Sequence, residues 1–564
     1  MYLSRFRWVI NLSSLVTLCT FVFYIRFARL DPDPHHDGIQ ITSALAVAEG
    51  LKVHSQVFNQ YGPMTNWVQS IWLQIFTPNL FSLRIWSCLM VALSAGLLIR
   101  VSRQLKFPTS ICFLASMVWV SSCPVWTFDS GFFGLWPWPS LLYLVFSLLS
   151  LSLIISWKAK TEQRSSLGFI SGMVLALGAF TRLNYGVPLM MGFLVGVTIL
   201  SPPSFSRFGK SSGPILAGAS ITSILILGYL VLTRSLDAFI TQAVLGPLEG
   251  KSAVSTGWNY FYDNYFKQSI SVILGLIFFA LVFRYIKIWV LKVTTLVIFG
   301  FYLSTRISLI TVSDLLHNNF AISKLWSHLD QMSLLRILLV SAAVTIVFSP
   351  FYFLTVLARL FIRRSSSVIG DFYFVNIAAV AALLQLYPLA DAYHLWWTSP
   401  ILILLLIEVL HRFNFSMPVV LLMFGIYSFF GLESSKYTLR IPRVEWTTGV
   451  LKGMMIPANY LDAYKSADVA LSTVHHKSRY LCRDGLWAVW NGTYLSNSPN
   501  YVEWGTASEN IQAVTEGRLV VCDWPGDGRT AEVLERRVIS TGGPNAYDYS
   551  RFSGGYFIDV LSES

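Results

Sequence analysis

Residues 8–40 read WVINLSSLVTLCTFVFYIRFARLDPDPHHDGIQ. The first part, Trp8–Phe27, is an apolar run of the length a membrane-spanning helix needs, about 20 residues. It ends at Arg26, Arg29 and Asp31 with no small-residue cleavage site, so an uncleaved first span is expected and not a signal peptide. The second part gathers Asp31, Asp33 and Asp37 with His35 and His36. Pro32 and Pro34 hold that stretch extended, and Gly38 permits a turn directly after Asp37. Next, Ile39–Glu49 carries apolar Ile39, Ile41, Leu45 and Val47 among polar residues, which predicts a helix lying in the membrane interface. Asn59-Gln60-Tyr61-Gly62-Pro63 reads as a second turn, ahead of an aromatic run from Trp67 to Trp72.

Working outward, the same alternation of apolar runs and short polar breaks continues. Of 564 residues, 54% are hydrophobic and 12% charged, against about 25% charged in an average soluble domain. With a mean hydropathy of +0.58, this excludes a disordered chain, a fibrous repeat and an ordinary soluble enzyme. Spans are predicted over 8–27, 83–100, 107–126, 137–156, 166–180, 187–200, 213–233, 269–287, 291–305, 334–357, 372–388, 395–410 and 416–431, about thirteen in all. With the N-terminus, Arg5 and Arg7 in the cytoplasm, the inner loops hold Arg100, Arg103 and Lys106; Lys158, Lys160 and Arg164; Arg207 and Lys210; Arg284 and Lys287; Arg359, Arg363 and Arg364; and Arg412. This is the positive-inside pattern. It accounts for the net charge of +12 without a nucleic-acid partner. Residues 1–431 therefore read as a polytopic α-helical domain with a first outer loop over 28–82. Residues 432–564 read as a small α/β domain outside the membrane. In that domain 458–474 reads as helix, and Leu486–Trp490 and Arg518–Cys522 read as strands.

Cys19, Cys88, Cys112 and Cys123 belong to apolar runs, and no metal-type Cys/His spacing occurs. Cys482 and Cys522 are the only cysteines of the tail. An outside compartment is oxidising, so a Cys482–Cys522 disulfide is expected.

LDPDPHHDGIQ, the Ala48 to Gly50 stretch and FNQYGP, placed after one N-terminal span, resemble the first outer loop of the GT-C superfamily of membrane glycosyltransferases. These use polyprenyl-phosphate sugars and include the protein O-mannosyltransferases and the aminoarabinose transferase of lipid A. The resemblance implies a GT-C-like fold, a polyprenyl-phosphate-linked sugar donor, and inverting hexosyl or pentosyl transfer to a lipid, glycan or protein hydroxyl. It implies a bacterial inner membrane with the tail in the periplasm. It assigns Asp37 as the base that takes the acceptor proton, with Asp33 and Asp31 in reserve, and Tyr61 as a substrate contact. Asp129, in the second outer loop, either assists or caps a short helix. A divalent metal, Mg or Mn, would draw on Asp37, Asp129 and His36.

Two arginines lie outside, against the charge trend. Arg182 sits in a loop of a few residues, and Arg84 begins the second span. Each is a candidate for the donor phosphate, or alternatively snorkels to lipid headgroups. Asp391 and His394, beside the paired Trp396 and Trp397, are spaced to share a helix face and to contact substrate, or form part of an aromatic belt. Segment 234–268, with its glycines and aromatics, suits a mobile loop over a lipid-linked sugar. Two other readings stand beside transfer. A transporter or flippase would concentrate polar groups at mid-membrane and show repeats. A non-catalytic assembly protein would use the outer domain for binding.

Overall fold

The computed structural model describes residues 2–34, 36–123, 135–159, 164–200, 212–246, 367–386, 392–412, 425, 428, 432, 435, 438–458, 461–472, 479–482, 485–490, 519–522, 533–539 and 556–561. Their helices are α1 (Tyr2–Ile25), α2 (His36–Ala48), α3 (Met64–Ile75), α4 (Leu80–Gln104), α5 (Thr109–Ser121), α6 (Pro139–Ala159), α7 (Arg164–Ala179), α8 (Leu183–Leu200), α9 (Gly213–Leu232), α10 (Leu236–Phe239), α11 (Ser367–Leu383), α12 (Ala392–Arg412) and α13 (Leu461–Ser472). Three of them, α4, α6 and α9, are long and apolar enough to cross a membrane. They correspond to the spans predicted over 83–100, 137–156 and 213–233. Shorter apolar helices, Leu12–Ile25, Thr109–Ser121, Ser165–Ala179, Leu183–Thr198, Tyr373–Leu383 and Trp396–Glu408, overlap other predicted spans. The spans read over 269–287, 291–305 and 334–357 lie outside the described residues, as does nearly all of 416–431.

The helices pack as a bundle whose interior is apolar, and some of its buried polar groups tie neighbouring helices together. Ser13 Oγ donates to the Gly96 carbonyl at 2.6 Å, drawing α1 onto α4. Between α5 and α12 the rings of Trp119 and Trp396 stack at 5.3 Å. Each indole N–H donates to the other residue's carbonyl at 3.0 Å, so two large buried side chains keep no orphan donor. The α4 helix begins at Asn79, whose side chain accepts from the Ser82 N–H at 2.8 Å, an N-cap that fixes where the helix starts. That start makes Arg84 the fifth residue of the helix.

Residues 438–561 combine helix and sheet. Strands β1 (Arg443–Glu445) and β2 (Met455–Pro457) pair antiparallel. Strands β3 (Arg479–Cys482), β4 (Leu519–Cys522), β5 (Val533–Ile539) and β6 (Tyr556–Leu561) form a sheet in the order β3-β4-β6-β5. The β3–β4 ladder is parallel, and its register sets Cys482 opposite Cys522. The strand expected over Leu486–Trp490 is instead a 3₁₀ helix, Gly485–Val489. Its buried residues, Leu486, Val489 and Trp490, recur at helical spacing and pack with Ile41, Leu45 and Tyr464.

That packing also corrects the reading of Ile39–Glu49. The helix starts earlier, at His36, and Asp37–Ala46 are buried without a break. It lies inside the protein, between α3 and segment 485–490, and not flat in an interface. A Cβ on Gly38 would fall 2.3 Å from the Leu486 backbone nitrogen, so only glycine lets the tail come this close.

Candidate functional site

The acid loop is folded by its own side chains and then covered by the tail. Asp33 starts α2: its Oδ1 accepts from the His36 N–H at 3.2 Å, and its carbonyl accepts from the Asp37 N–H at 3.2 Å. The other oxygen, Oδ2, meets His36 Nδ1 at 2.8 Å. Asp31 has φ = 48°, a left-handed conformation rare outside glycine. Its neighbours over-determine that conformation. The Asp31 N–H donates to the Met455 carbonyl at 2.9 Å, and Arg443 donates to both carboxylate oxygens at 2.5 and 2.6 Å. Tyr464 O–H donates to the Pro32 carbonyl at 3.0 Å, and the Leu486 N–H to the Pro34 carbonyl at 3.3 Å. All three aspartates are buried, so none is a solvated loop acid.

Asp37 faces Arg84. Arg84 Nε donates to Asp37 Oδ1 at 3.0 Å and Nη2 donates to Oδ2, with both side chains fully buried. Asp37 Oδ2 also accepts the Asp33 N–H at 2.8 Å. Burial pushes the Asp37 carboxyl up to about 6, against the pull of the Arg84 guanidinium. Arg84 donates as well to the carbonyls of Leu30 and Asp31. The expectation that Arg84 meets a donor phosphate is therefore corrected. Its guanidinium points into the protein and clamps the loop, because an acid 47 residues away in sequence lies within its reach.

Arg182 is placed very differently. It is 4% exposed, yet no carboxylate contacts it among the described residues, and its Nη1 has no hydrogen-bond partner. Its guanidinium lies 4.2 Å over the Tyr61 ring and 4.9 Å from that of Tyr185. Nε donates to the Tyr185 hydroxyl, which is 3.0 Å from Ser140 Oγ. A buried cation without an acid is costly unless an anion completes it. The turn carrying Tyr61 is held against this loop. Asn59 accepts from the Tyr61 N–H at 2.9 Å and donates to the Gly62 carbonyl at 3.1 Å. A Cβ on Gly62 would sit 1.8 Å from the Phe180 carbonyl oxygen, two residues before Arg182.

An aromatic wall joins the two centres. Tyr61 meets Trp138 edge-on at 5.7 Å, and Trp138 meets His36 edge-on at 5.5 Å. His36 stacks on Trp136 at 3.9 Å and 9°. Tyr393 and Trp397 of α12 pack on Trp136 and Trp138 at 4.2 and 6.2 Å, and His394 sits edge-on to Trp397 at 5.1 Å. Gln69 fixes the wall by donating to the Pro137 carbonyl at 2.6 Å. Thus Asp33, Asp37, His36, Tyr61, Arg182 and His394 come together. Asp129 and Asp391 lie outside the described residues. Among the described residues, no group of three or more His, Cys, Asp or Glu is placed to hold a metal ion. A cation at Asp37 would have to displace Arg84.

Three features escaped the sequence reading. Trp136 and Trp138, at the start of the span predicted over 137–156, and Tyr185, in the same short loop as Arg182, carry no signal that singles them out. His54, buried with φ = 70°, hydrogen bonds through Nδ1 to Gln242 Oε1 at 3.2 Å. Gln242 lies in a π-helix, Ile240–Leu245, and also accepts the Asn59 N–H at 3.1 Å, supporting the Tyr61 turn from behind.

No family model matches the chain, and no curated protein matches its sequence. Among solved structures, it is similar to ArnT from Cupriavidus metallidurans in the apo state, with TM-score 0.44 and 12% identity over 100% of this chain and 98% of that one. It is also similar to ArnT from Cupriavidus metallidurans bound to undecaprenyl phosphate, with TM-score 0.42 and 13% identity over 98% and 97% of the two chains.

Proposed function

We propose that this chain is a GT-C-type membrane glycosyltransferase. It moves a sugar from a polyprenyl-phosphate donor to a hydroxyl of a lipid, glycan or protein acceptor, with inversion, on the outer face of the membrane. For a bacterial chain this is the periplasmic face of the inner membrane. The observation that carries the reading is Arg182, a buried guanidinium with an unpartnered Nη1 and, among the described residues, no acid beside it. Such a group is suited to a phosphate that leaves with an added negative charge. Tyr61 and Tyr185 flank it, their rings 4.2 and 4.9 Å from the guanidinium.

The donor's tail has a surface to lie on. An open groove of about 440 Å³ between α3 and α9 is lined by Trp67, Ser70, Ile71, Leu225, Ile226 and Tyr229. Met64 and Trp67 pack in the same cluster as Phe180 and Leu183, the residues that bracket the Arg182 loop. An apolar groove beside a buried cation suits an anion with an isoprenoid chain. The acid loop supplies proton acceptance from the attacking hydroxyl.

The test is binding of undecaprenyl phosphate to the purified full chain in detergent. Arg182→Ala should weaken binding about 10- to 100-fold, the worth of one charge-assisted contact, and Arg182→Lys should weaken it less. Unchanged affinity in Arg182→Ala overturns the reading.

A further inference from the structure

We infer that Gln242 is a positioning residue for the lipid-phosphate site: it holds the Tyr61 turn in place over Arg182. This rests on the glycosyl-transfer reading above. The ring that lies 4.2 Å from the Arg182 guanidinium belongs to a turn, and a turn has no ladder of its own. Its backbone groups must find partners elsewhere. The Tyr61 N–H donates to Asn59 Oδ1 at 2.9 Å, and the Asn59 N–H donates to Gln242 Oε1 at 3.1 Å. A path of direct contacts therefore runs from Gln242 through Asn59 and Tyr61 to the guanidinium.

Gln242 is itself gripped at both ends of its amide. Nε2 donates to the His54 carbonyl at 3.0 Å, and Oε1, which holds the Asn59 N–H, lies 3.2 Å from His54 Nδ1. A backbone N–H can only donate and a carbonyl can only accept, so the amide has one orientation here, and His54 Nδ1 carries the ring hydrogen. His54, with φ = 70°, thus offers both its carbonyl and its ring to one side chain 188 residues away. Backbone outliers held by their surroundings gather at functional sites. The backbone of Gln242 is unusual too, because it lies in the π-helix Ile240–Leu245, a rare form found mostly where function requires it.

The same short element reaches the other half of the site. Phe239, the residue before the π-helix, meets His54 edge-on at 5.0 Å and stacks with Phe180 at 6.3 Å. Phe180 stands two residues before Arg182, and its carbonyl accepts the Met64 N–H at 3.3 Å. The stretch from Phe239 to Gln242 therefore touches the turn that carries Tyr61 and the chain that leads into the Arg182 loop. Without the Gln242 amide the first of these contacts is lost. The consequence is a Tyr61 ring no longer fixed over the cation, read as weaker anion binding, and only while Tyr61 is there to be positioned.

The experiment is a double-mutant cycle on the purified full chain in detergent, with affinity for undecaprenyl phosphate as the readout. Gln242→Met keeps the volume and removes the hydrogen bonds; it should weaken binding about 5- to 10-fold. Tyr61→Leu should weaken it at least as much. The double variant should bind within about twofold of Tyr61→Leu, because Gln242 acts through that ring. Losses that multiply would show a general structural effect and overturn the inference, as would unchanged affinity in either single variant. A second measurement needs no variant. Binding that depends on the Tyr61 position must in turn favour the Gln242 contact, so undecaprenyl phosphate should slow hydrogen exchange at least about twofold in wild-type peptides covering 54–62 and 236–245. Unchanged exchange in either peptide while the lipid phosphate is bound overturns the inference. Failure of the wild-type chain to bind undecaprenyl phosphate would instead overturn the function proposed above.

Discussion

Both carboxylate oxygens of Asp31 accept hydrogen bonds from Arg443, from Nε at 2.5 Å and Nη2 at 2.6 Å, across 412 residues of chain. Each side chain is only 3% exposed. Arg443 belongs to β1, and the partner strand β2 continues the contact through Met455, which bridges Leu30. The tail thus completes the acid loop. It supplies the groups that hold a left-handed Asp31 and that roof Asp33 and Asp37.

Removing one member of a buried pair leaves the other charged and unpaired, which typically costs about 3–5 kcal/mol. Arg443→Ala should therefore lower the thermal midpoint of the purified chain sharply, and Arg443→Lys should do so less, because lysine keeps the charge and loses the fork. Adding Asp31→Asn to Arg443→Ala should recover part of the loss. An unchanged midpoint in Arg443→Ala would show that the clamp does not hold the fold.

This clamp also marks where sequence reasoning stops. Asp37, Tyr61 and Arg182 were visible because each stands in a local pattern: an acid after a span, a Gly-Pro turn, an arginine in a very short outer loop. Tyr61 and Arg182 meet at the aromatic wall, whereas Asp37 pairs with Arg84. The fate of Arg84 was not visible. An arginine at the start of a span reads as a headgroup or phosphate ligand, and only the fold brings Asp37 to it. The burial of α2 was hidden for the same reason. Its amphipathic pattern was read against lipid, whereas its partner is segment 485–490, hundreds of residues on. The spacing of Leu486, Val489 and Trp490 carried a helical signal, but a run that short reads equally well as a strand.

Gly62 ties the Tyr61 turn to the Arg182 loop. In Gly62→Ala the new methyl would meet the Phe180 carbonyl at 1.8 Å, and backbone, not a flexible side chain, must move. Overpacking of this kind costs about 1–3 kcal/mol. The expected outcome is a modest fall in thermal midpoint with a larger loss of undecaprenyl-phosphate binding, as Tyr61 is pushed off the guanidinium. Equal affinity for wild type and Gly62→Ala would separate the turn from the anion site.

His54 gives the chain a pH dependence of known sign. Burial pushes its imidazole down to about 4, against the hydrogen bond to Gln242. The unfolded chain, with an ordinary histidine near 6.5, binds the proton more readily than the folded one. Stability from this group is therefore fully present above about 6.5 and is lost as pH falls towards 4, by up to about 3 kcal/mol. His54→Asn tolerates the left-handed backbone and carries no titrating ring. Its midpoint should fall less than that of wild type between pH 6.5 and 4. Parallel curves for the two proteins would exclude His54 as the cause.

The tail offers the last test. The parallel register of β3 and β4 sets Cys482 opposite Cys522. Neighbouring strands run about 4.8 Å apart, within the Cα separation that a disulfide accepts. A bond here would close a loop of 39 intervening residues, stabilising the folded tail by about 3–4 kcal/mol in the chain-entropy model. It also requires an oxidising compartment, as the proposed outward orientation of the tail would provide. Protein purified without reductant should yield a cross-linked peptide pair containing both cysteines. Reduction should lower the thermal midpoint of wild type and leave that of Cys482→Ser/Cys522→Ser unchanged. Quantitative alkylation of both thiols in unreduced protein would overturn the bond. Alkylation in intact cells by a membrane-permeant reagent, but not by an impermeant one, would place the tail in the cytoplasm and overturn the outward-facing site with it.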